Sequence, residues 1–497
     1  MPVEAMSNDV KPHEAIAPQN RVLIFIASLA AVFITAIEAT IVSTAMPTIV
    51  GTLGGFDLLS WVFTSYLLTQ AITIPIYSRL SDLYGRKPIL LIGIALFVVG
   101  SILCGFAWSM MSLVVFRVVQ GLGAGALTPV SRTLIGDIYH GAERARMQGY
   151  VSSVFVGAAV LGPVIGAFIA SHTIWAMVFW VNVPIGLVAG AILIWTLHEQ
   201  IEKRTHRIDW TGSALIGLGV GLLLFALAQA ASLGLGWTLG LAAAGIVVLA
   251  AFAICERIVA EPIWPMSLWK DGMANRGNLV SLGLGASMMG IAAYLPVYMQ
   301  GVMGTSAFVT GLALMAMSAA GPIGAVVAGQ IMLRSSYRVS STAAATIYIT
   351  GSIMMSMLDQ QSGAAWAVAS GFLMGFGTGM SNNTYMVAIQ AESAWNQRGI
   401  ATGAFLFSRI LGQAVGTAAF GGILNSSLSA YLTGKDDLVS QIIAPAFRQT
   451  LAPEILGPLM SQFNQALHTI FLILVGLSIV VMLIGLTLPR GRGLGHS

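Results

Sequence analysis

One acidic residue lies in the middle of a long apolar segment. Glu38 is the single charged residue between Val22 and Met46, and this run is long enough to cross a bilayer. Burying a carboxylate costs several kcal/mol without a partner and favours its protonated form. Because such a group can take up and release a proton at cellular pH, Glu38 is the first candidate for proton coupling.

Two basic residues also fall inside apolar segments. They are Arg117 and Arg409, and an arginine close to Glu38 would favour the ionised carboxylate. A structural ion pair is one interpretation of this set. The other is proton coupling, in which one conformation brings Glu38 close to Arg409 or Arg117 and another separates them. The sequence alone leaves both interpretations open.

The composition is that of an integral membrane protein. Of the 497 residues, 57% are hydrophobic and 8% are charged, which excludes an ordinary soluble protein. The net charge of +4 is spread thinly along the chain, so no nucleic-acid surface is predicted. The two cysteines lie in or beside apolar segments and the histidines are scattered. We therefore expect no disulfide, no metal site and no cofactor other than a transported proton.

Fourteen segments reach the roughly 20 apolar residues that a spanning helix requires. They lie near 22–46, 59–78, 89–107, 110–133, 147–170, 175–197, 210–231, 237–258, 277–300, 307–331, 340–357, 363–390, 398–424 and 466–487. An even number places both termini on one side. If that side is the cytoplasm of a bacterial inner membrane, only Lys435 and Arg448 among the 23 Lys and Arg residues lie in an outer loop, as the positive-inside rule favours.

Short glycine-rich sequences recur in the two halves of the chain. GLGAGA (121–126) is echoed by GFGTGM (375–380), and LGPVIG (161–166) by LGQAVG (411–416). Duplicated halves are typical of transporters. We therefore predict an all-α membrane protein with two six-helix bundles and two additional helices between them.

The predicted boundaries follow from these spans. They give a cytoplasmic tail at 1–20, an N-terminal bundle at 21–200, two inserted helices at 208–258, a C-terminal bundle at 277–488 that includes an outer loop at 425–465, and a cytoplasmic tail at 489–497. Apolar residues at helical spacing in the outer loop indicate an amphipathic helix on the membrane or over the outer mouth, and a simple tether is the alternative.

A short hairpin between the second and third spans combines charges with a turn glycine. SRLSDLYGRKPIL (78–90) contains Asp82, Gly85, Arg86 and Lys87. The carboxylate can bond a neighbouring arginine or lie at a helix N-terminus of the other half. We predict a latch on the inner gate, whereas an ordinary positive-inside loop would explain the cations alone.

Glycines recur inside two other spans. RVVQGLGAGA (117–126) carries Gly121 and Gly125, but no strand precedes it, which excludes a dinucleotide loop. GAAVLGPVIGA (157–167) places Gly162, Pro163 and Gly166 in mid-span. These residues predict close helix packing, and the second group also predicts a rocking surface between the halves.

The remaining residues inside the spans suit an apolar ligand. Neutral polar groups are few, and methionines and aromatic residues are frequent in the second half. This composition is typical of an apolar cavity that accepts ligands of different shapes. The candidate cavity residues are Trp61, Tyr66, Gln70, Tyr294, Tyr298, Asn382, Tyr385 and Phe405. Packing or lipid contact is the alternative role for most of them.

Together these motifs resemble the major facilitator superfamily and, within it, the fourteen-span drug:proton antiporter family that includes bacterial multidrug exporters. The hairpin 78–90 is similar to motif A of the family, although Ser78 replaces its usual first glycine. The run from Arg117 is similar to motif B, whose arginine the family implicates in proton coupling. The segment 157–167 is similar to motif C, the antiporter signature.

The first span also resembles that family. IEATIVSTAMP (37–47) looks like its first-span motif, in which an aspartate usually stands at the position of Glu38. Glutamate keeps the titratable group and extends it by about one carbon. The resemblance therefore implies proton coupling through Glu38.

We expect a monomeric, proton-coupled antiporter that exports lipophilic small molecules by alternating access, in contact with membrane lipids. An exporter of lipids or lipopeptides is the alternative within transport. A non-transporting membrane sensor or an enzyme would need a soluble signalling or catalytic unit, and the short loops contain no such unit.

Overall fold

The long helices follow the predicted spans. A computed structural model describes residues 18–139, 141–199, 209–259, 272–359, 362–393, 398–428 and 453–488. Across these ranges fourteen long helices occur. They are α1 (Pro18–Leu53), α2 (Leu59–Tyr84), α3 (Arg86–Gly105), α4 (Met110–Ile138), α5 (Gly141–His172), α6 (Met177–Thr196), α7 (Trp210–Ala228), α8 (Ala230–Cys255), α9 (Gly272–Val297), α10 (Ala307–Arg334), α11 (Tyr337–Ser356), α12 (Ala364–Glu392), α13 (Arg398–Ser427) and α14 (Pro453–Leu486).

Eleven of the described helices are long and apolar enough to cross a membrane. The other three, α11, α12 and α13, each contain seven Ser, Thr, Asn or Gln residues. In α11, Thr346 and Thr350 each donate a hydrogen bond of 2.9 Å to the carbonyl one turn earlier. Because a hydroxyl satisfied within its own helix needs no water, this polarity is compatible with a spanning helix.

The two six-helix bundles repeat one packing scheme, which confirms the predicted architecture. In the N-terminal bundle, α4 packs on α2 and α3, α1 packs on α5 and α6, and α3 packs on α6. In the C-terminal bundle, α12 packs on α10 and α11, α9 packs on α13 and α14, and α11 packs on α14. Each C-terminal helix therefore repeats the contacts of the helix eight places before it.

The duplicated glycines make this packing possible. A Cβ on Gly121 or Gly125 of α4 would collide with Thr69 or Thr73 of α2, and one on Gly123 would collide with Phe97 of α3. In α12, Gly375 and Gly379 meet α10 and Gly377 meets α11 in the same order. The absence of a side chain lets the helix backbones approach closely at each of these positions.

The second pair of glycine motifs behaves in the same way. Gly162 and Gly166 of α5 lie against Thr40 and Thr44 of α1. Their counterparts Gly412 and Gly416 of α13 lie against Leu282 and Ala286 of α9. The helix pairs α1 with α5 and α9 with α13 are therefore equivalent.

The bundles contact each other through α5 with α10, α2 with α13, and α1 with α9. Several of these contacts lie at the end that the charge distribution assigns to the outside. Asn425 Nδ2 donates to Asp57 O at 2.7 Å, Gln300 Nε2 donates to Thr44 O at 3.4 Å, and Phe56 packs edge-on against Phe463. Gly311 of α10 lies against the Pro163 carbonyl.

Three glycines in the opposite parts of α5 and α13 have free space beside them. A Cβ on Gly149 or Gly157 of α5, or on Gly403 of α13, would meet no atom within 4 Å. The contacts named above between the bundles therefore lie toward the end predicted to be outside, and these three glycines at the other end have no described neighbour. The inserted hairpin of α7 and α8 packs beside this interface, against α2 and α13.

The predicted outer loop 425–465 is too long. Residues 425–427 belong to α13, and 453–465 form the first turns of α14. Leu459 and Phe463 are fully buried, because they pack on the bundle and do not face an interface. Residues 429–452 lie outside the described residues, as do the tails 1–17 and 489–497, whereas Pro18–Asn20 of the predicted first tail begin α1.

Candidate functional site

Glu38 and Arg117 form a buried ion pair near the middle of α1. The side chain of Glu38 is fully buried and that of Arg117 is 1% exposed. Arg117 Nη1 contacts Glu38 Oε1, and Asn182 Nδ2 of α6 donates to Glu38 Oε2 at 2.5 Å. Both carboxylate oxygens therefore have a donor. Of the two arginines that the sequence offered, the structure places Arg117 beside Glu38.

A second layer of polar groups holds Arg117. Its Nη1 also donates to Gln120 Oε1 at 2.7 Å, and its Nε donates to Val62 O at 3.0 Å. Gln120 Nε2 in turn donates to Ser101 Oγ of α3 at 2.9 Å. A buried pair is stable only when further hydrogen bonds satisfy its remaining polar atoms. This network meets most of that requirement.

Aromatic rings close the pair off from water. The guanidinium carbon of Arg117 lies 4.2 Å from the centroid of the Tyr66 ring and 5.8 Å from that of Phe179. Tyr66 was predicted to line the substrate cavity, but it is 2% exposed and covers the arginine. Its hydroxyl and Asn182 Oδ1 are buried polar atoms without a hydrogen-bond partner in the described structure. The ion pair therefore lies next to two polar atoms that are available to hydrogen-bond a water molecule or a protonated group.

Sequence reasoning missed Asn182, although the signal was present. Asn182 lies inside the predicted span 175–197, where an uncharged amide is conspicuous among apolar residues. Its side chain is fully buried and bonds the carboxylate. An intramembrane Asn is expected to have a partner.

Arg409 lies away from Glu38, on α13 of the other bundle. Its Nε is buried without a hydrogen-bond partner among the described residues. The charged neighbour that acts on it is Arg132 of α4. In this conformation Arg117 and Asn182 contact both carboxylate oxygens of Glu38, and an approach of Arg409 to Glu38 in another conformation stays a prediction.

Several predicted cavity residues lie within packed parts of the molecule. The Trp61 ring centroid is 5.7 Å from that of Phe225 in α7, so Trp61 faces the inserted hairpin. Tyr294, Tyr298, Tyr385 and Phe405 are fully buried. Tyr294 and Tyr298 donate to the carbonyls of Thr417 and Leu358, and the Tyr385 hydroxyl accepts from Ser341. These residues pack inside the C-terminal bundle.

The other two predicted cavity residues are more accessible. Gln70 of α2 and Asn382 of α12 are partly exposed. The two helices belong to different bundles: α2 packs against Gly121 and Gly125 of α4, and α12 packs through Gly375 and Gly379 against α10. Gln70 and Asn382 therefore remain candidates for contact with a substrate.

The latch residues of the hairpin 78–90 interact within the N-terminal bundle. Arg86 Nη1 contacts Asp82 Oδ1 and donates to Ser81 Oγ at 2.8 Å, and Arg86 Nε donates to Asp137 Oδ2 of α4 at 3.1 Å. Gly85 has a φ of 95° between α2 and α3, a conformation that favours glycine. The structure thus shows the first of the two predicted arrangements, a carboxylate bound to a neighbouring arginine.

The ends of α3 and α6 cap each other beside this latch. The carboxylate of Glu199 accepts from the backbone N–H groups of Arg86 and Lys87 at 2.8 and 2.9 Å. Lys87 Nζ donates to the carbonyls of Ile194 and Leu197 at 2.8 and 2.6 Å. An acid at a helix N-terminus and a cation at a C-terminus both complement the helix dipole. Lys87 therefore caps the C-terminal end of α6.

Replacing Asp82 with asparagine is expected to slow transport several-fold with little loss of stability. The side chains of Asp82 and Asp137 are 37% and 54% exposed, and exposed ion pairs contribute at most about 1 kcal/mol. Initial transport rates and thermal midpoints measure the two effects, with Glu143→Gln as an exposed control on α5. Wild-type rates in Asp82→Asn would show that the ion pair only shapes the inner loop.

Comparisons with known proteins agree with this architecture. The family model of the Major Facilitator Superfamily matches residues 28–417. Multidrug resistance protein 3 of Bacillus subtilis (strain 168) is 32% identical over 397 residues, which cover 79% of this chain and 77% of that protein. The multidrug transporter protein MdtP of the same organism is 30% identical over 456 residues, which cover 91% of this chain and 84% of that protein.

Solved structures show the same fold at low sequence identity. A bacterial homologue of the human lysosomal transporter Spinster, in an inward-facing and unoccupied conformation, aligns with a TM-score of 0.65 at 14% identity and covers 95% of this chain and 97% of that one. A D-xylose-proton symporter aligns with a TM-score of 0.58 at 13% identity and covers 86% and 96%. On its fold and its family match, this chain is a multi-pass membrane transporter, not an enzyme, and it belongs to the Major Facilitator Superfamily.

Proposed function

We propose that the protein exports lipophilic small molecules across the bacterial inner membrane in exchange for protons, with both termini in the cytoplasm. The observation that carries this proposal is the buried Glu38 with its partner Arg117. The names of the two multidrug relatives support the substrate class. The proton supplies the driving force.

We assign the conformation described here to the inward-facing, deprotonated half of the cycle. Here Glu38 accepts hydrogen bonds from Arg117 and Asn182, and donors to both oxygens favour the ionised carboxylate. In the outward-open state Glu38 takes a proton from the outer medium and its bond to Arg117 weakens. Substrate binds in the inner cavity after the proton has left, so the two ligands alternate.

The depth of the pair suits a proton that arrives from outside. Arg117 lies seven residues after the start of α4, and α4 begins at the outer end. At about 1.5 Å per residue this is roughly 10 Å from the helix end. The pair is therefore closer to the outer end of α4 than to its inner end.

The available energy is sufficient for export. One charge that crosses 100 mV yields about 2.3 kcal/mol, and one pH unit adds about 1.4 kcal/mol. Together these terms support a substrate gradient of more than about a hundredfold for one proton per cycle.

Proteoliposomes with an imposed pH gradient test the coupling. With one proton per uncharged substrate, a gradient of one pH unit and no membrane potential should drive about tenfold accumulation. A protonophore should abolish that accumulation, and protein-free vesicles give the baseline. Accumulation that persists without any proton gradient would exclude proton antiport.

The alternative substrate class, lipids or lipopeptides, was suggested partly by the outer loop 425–465. Its central part, residues 429–452, lies outside the described residues. The sparse polar groups of the inner cavity suit drugs and lipids equally, and no described contact favours lipids.

A further inference from the structure

Two arginines in the predicted inner halves of their helices have no anionic partner among the described residues. Arg132 of α4 and Arg409 of α13 belong to different bundles, and the Nε atom of each is buried without a hydrogen-bond partner in the described part of the chain. Neither forms an ion pair with a described carboxylate. Arg132 lies at the end of the predicted span 110–133 and within α4, which extends to Ile138.

The surroundings of the two residues are unfavourable for unpaired cations. Arg132 lies over the ring of Phe155, with 5.3 Å between its guanidinium carbon and the ring centroid. The charge that acts on Arg409 is Arg132 itself. Two partly buried like charges repel each other, and each also loses hydration. The contact of Arg132 with the Phe155 ring is favourable and offsets only part of this cost.

This arginine pair is separate from the Glu38 site. Arg132 lies fifteen residues beyond Arg117 along α4, which corresponds to about 22 Å toward the inner end. On α13, a Cβ on Gly403, less than two turns before Arg409, would meet no atom within 4 Å. Arg132 therefore lies in the second half of α4 and Arg409 in the first half of α13, the halves predicted to face the cytoplasm, and there is free space beside Gly403.

We propose that Arg132 and Arg409 bind the anionic head group of an amphiphilic substrate from the cytoplasmic side. Each guanidinium can donate paired hydrogen bonds to phosphate, sulfonate or carboxylate oxygens. An anion between them would relieve both the repulsion and the missing hydrogen bonds. The Phe155 ring offers an apolar surface for the adjoining part of the molecule. This proposal narrows the substrate class of the proposed exporter and rests on it for the direction of transport.

Three probes with one tail test the head group. The full-length protein in phosphatidylcholine nanodiscs is titrated with decyl phosphate, decanol and decyltrimethylammonium in equilibrium dialysis. We expect decyl phosphate to bind at least about tenfold more tightly than the other two, because two charge-assisted contacts exceed 1.4 kcal/mol. Equal affinities for the three probes would overturn the proposal.

Substitutions assign the effect to the two arginines. Arg409→Gln and Arg132→Gln should each weaken decyl phosphate binding at least tenfold and leave decanol binding unchanged. Arg146→Gln, an exposed arginine of α5, should change neither. Because each glutamine variant removes an unpaired cation, its thermal midpoint without ligand should be no lower than that of the wild type. Unchanged decyl phosphate binding in both variants would refute the assignment.

Two further experiments are needed. One distinguishes a lipid head group from a soluble amphiphile as the bound anion, and the other distinguishes the anion site from proton coupling at Glu38. If a lipid head group is the natural occupant, nanodiscs that contain phosphatidylglycerol should displace decyl phosphate from the wild type. If a soluble amphiphile is the occupant, they should not, and either result supports an anion site. Glu38→Gln should still bind decyl phosphate, so a failure of proton coupling does not affect this test. Loss of binding in Glu38→Gln at unchanged stability would contradict two separate sites.

Discussion

Replacing Glu38 with glutamine is expected to abolish proton-driven efflux. Glutamine keeps the size of the side chain and one acceptor oxygen, but it cannot ionise. Export of a chemically diverse compound panel, measured in cells with the pH gradient imposed and then collapsed, should fall to the level of cells without the protein. Glu38→Asp keeps the titratable group and is expected to retain part of the activity.

The same substitution is also expected to destabilise the protein, because it leaves Arg117 buried without its counter-ion. Removal of one partner of a buried pair costs about 3–5 kcal/mol. The double variant Glu38→Gln with Arg117→Gln removes both charges, so it should recover most of that loss. Chemical denaturation of the three proteins in detergent measures this cycle.

The double variant separates folding from coupling. A protein that folds as well as the wild type and transports nothing would assign the loss to the missing proton site. Normal efflux in either Glu38→Gln variant would remove Glu38 from the mechanism. Full recovery of efflux together with stability would leave the pair with a structural role only.

A methyl group at Gly123 is expected to disrupt the N-terminal bundle. A Cβ at this position would lie 2.6 Å from the Gly93 carbonyl and 2.8 Å from the Cα of Phe97, and a backbone cannot rotate away as a side chain can. Overpacking typically costs about 1–3 kcal/mol. We expect Gly123→Ala to reach at least the upper end of this range and to lower transport through the displaced α4.

Gly157→Ala is the matched control. A Cβ at Gly157 meets no atom within 4 Å, and alanine is favoured over glycine in a helix by about 1 kcal/mol. Its thermal midpoint should therefore be equal to or higher than that of the wild type, whereas that of Gly123→Ala should be lower. Equal midpoints for the two variants would contradict the close contact between α3 and α4.

The fourteen helices could be predicted from the sequence because bilayer thickness imposes a minimum apolar length on each span. The duplication of the two bundles could be predicted for a related reason. Glycine is needed where helix backbones touch, so GLGAGA and GFGTGM mark equivalent contacts. The charge of Glu38 in a span was equally conspicuous. These features depend on local constraints that any single chain displays.

The partners of Glu38 were less predictable. The choice between Arg117 and Arg409 depends on which helices are neighbours and on the rotation of each helix about its axis. Neither is encoded in one segment. For the same reason Trp61 and Tyr298 were assigned to a cavity, although one faces α7 and the other donates to Leu358 O. An aromatic residue in a span has the same local sequence signal whether it faces a ligand, a neighbouring helix or lipid.

Every described partner of the Glu38 and Arg117 side chains comes from α1, α2, α4 or α6, all within one bundle. A rigid-body rotation of the whole bundle leaves the distances among them unchanged, so rocking alone cannot separate Glu38 from Arg117. Deformation inside the bundle has to accompany each proton. The path of such a deformation to the opposite bundle is short. Thr40, about half a turn from Glu38, lies against Gly162 of α5. The carbonyl of the following residue, Pro163, lies against Gly311 of α10.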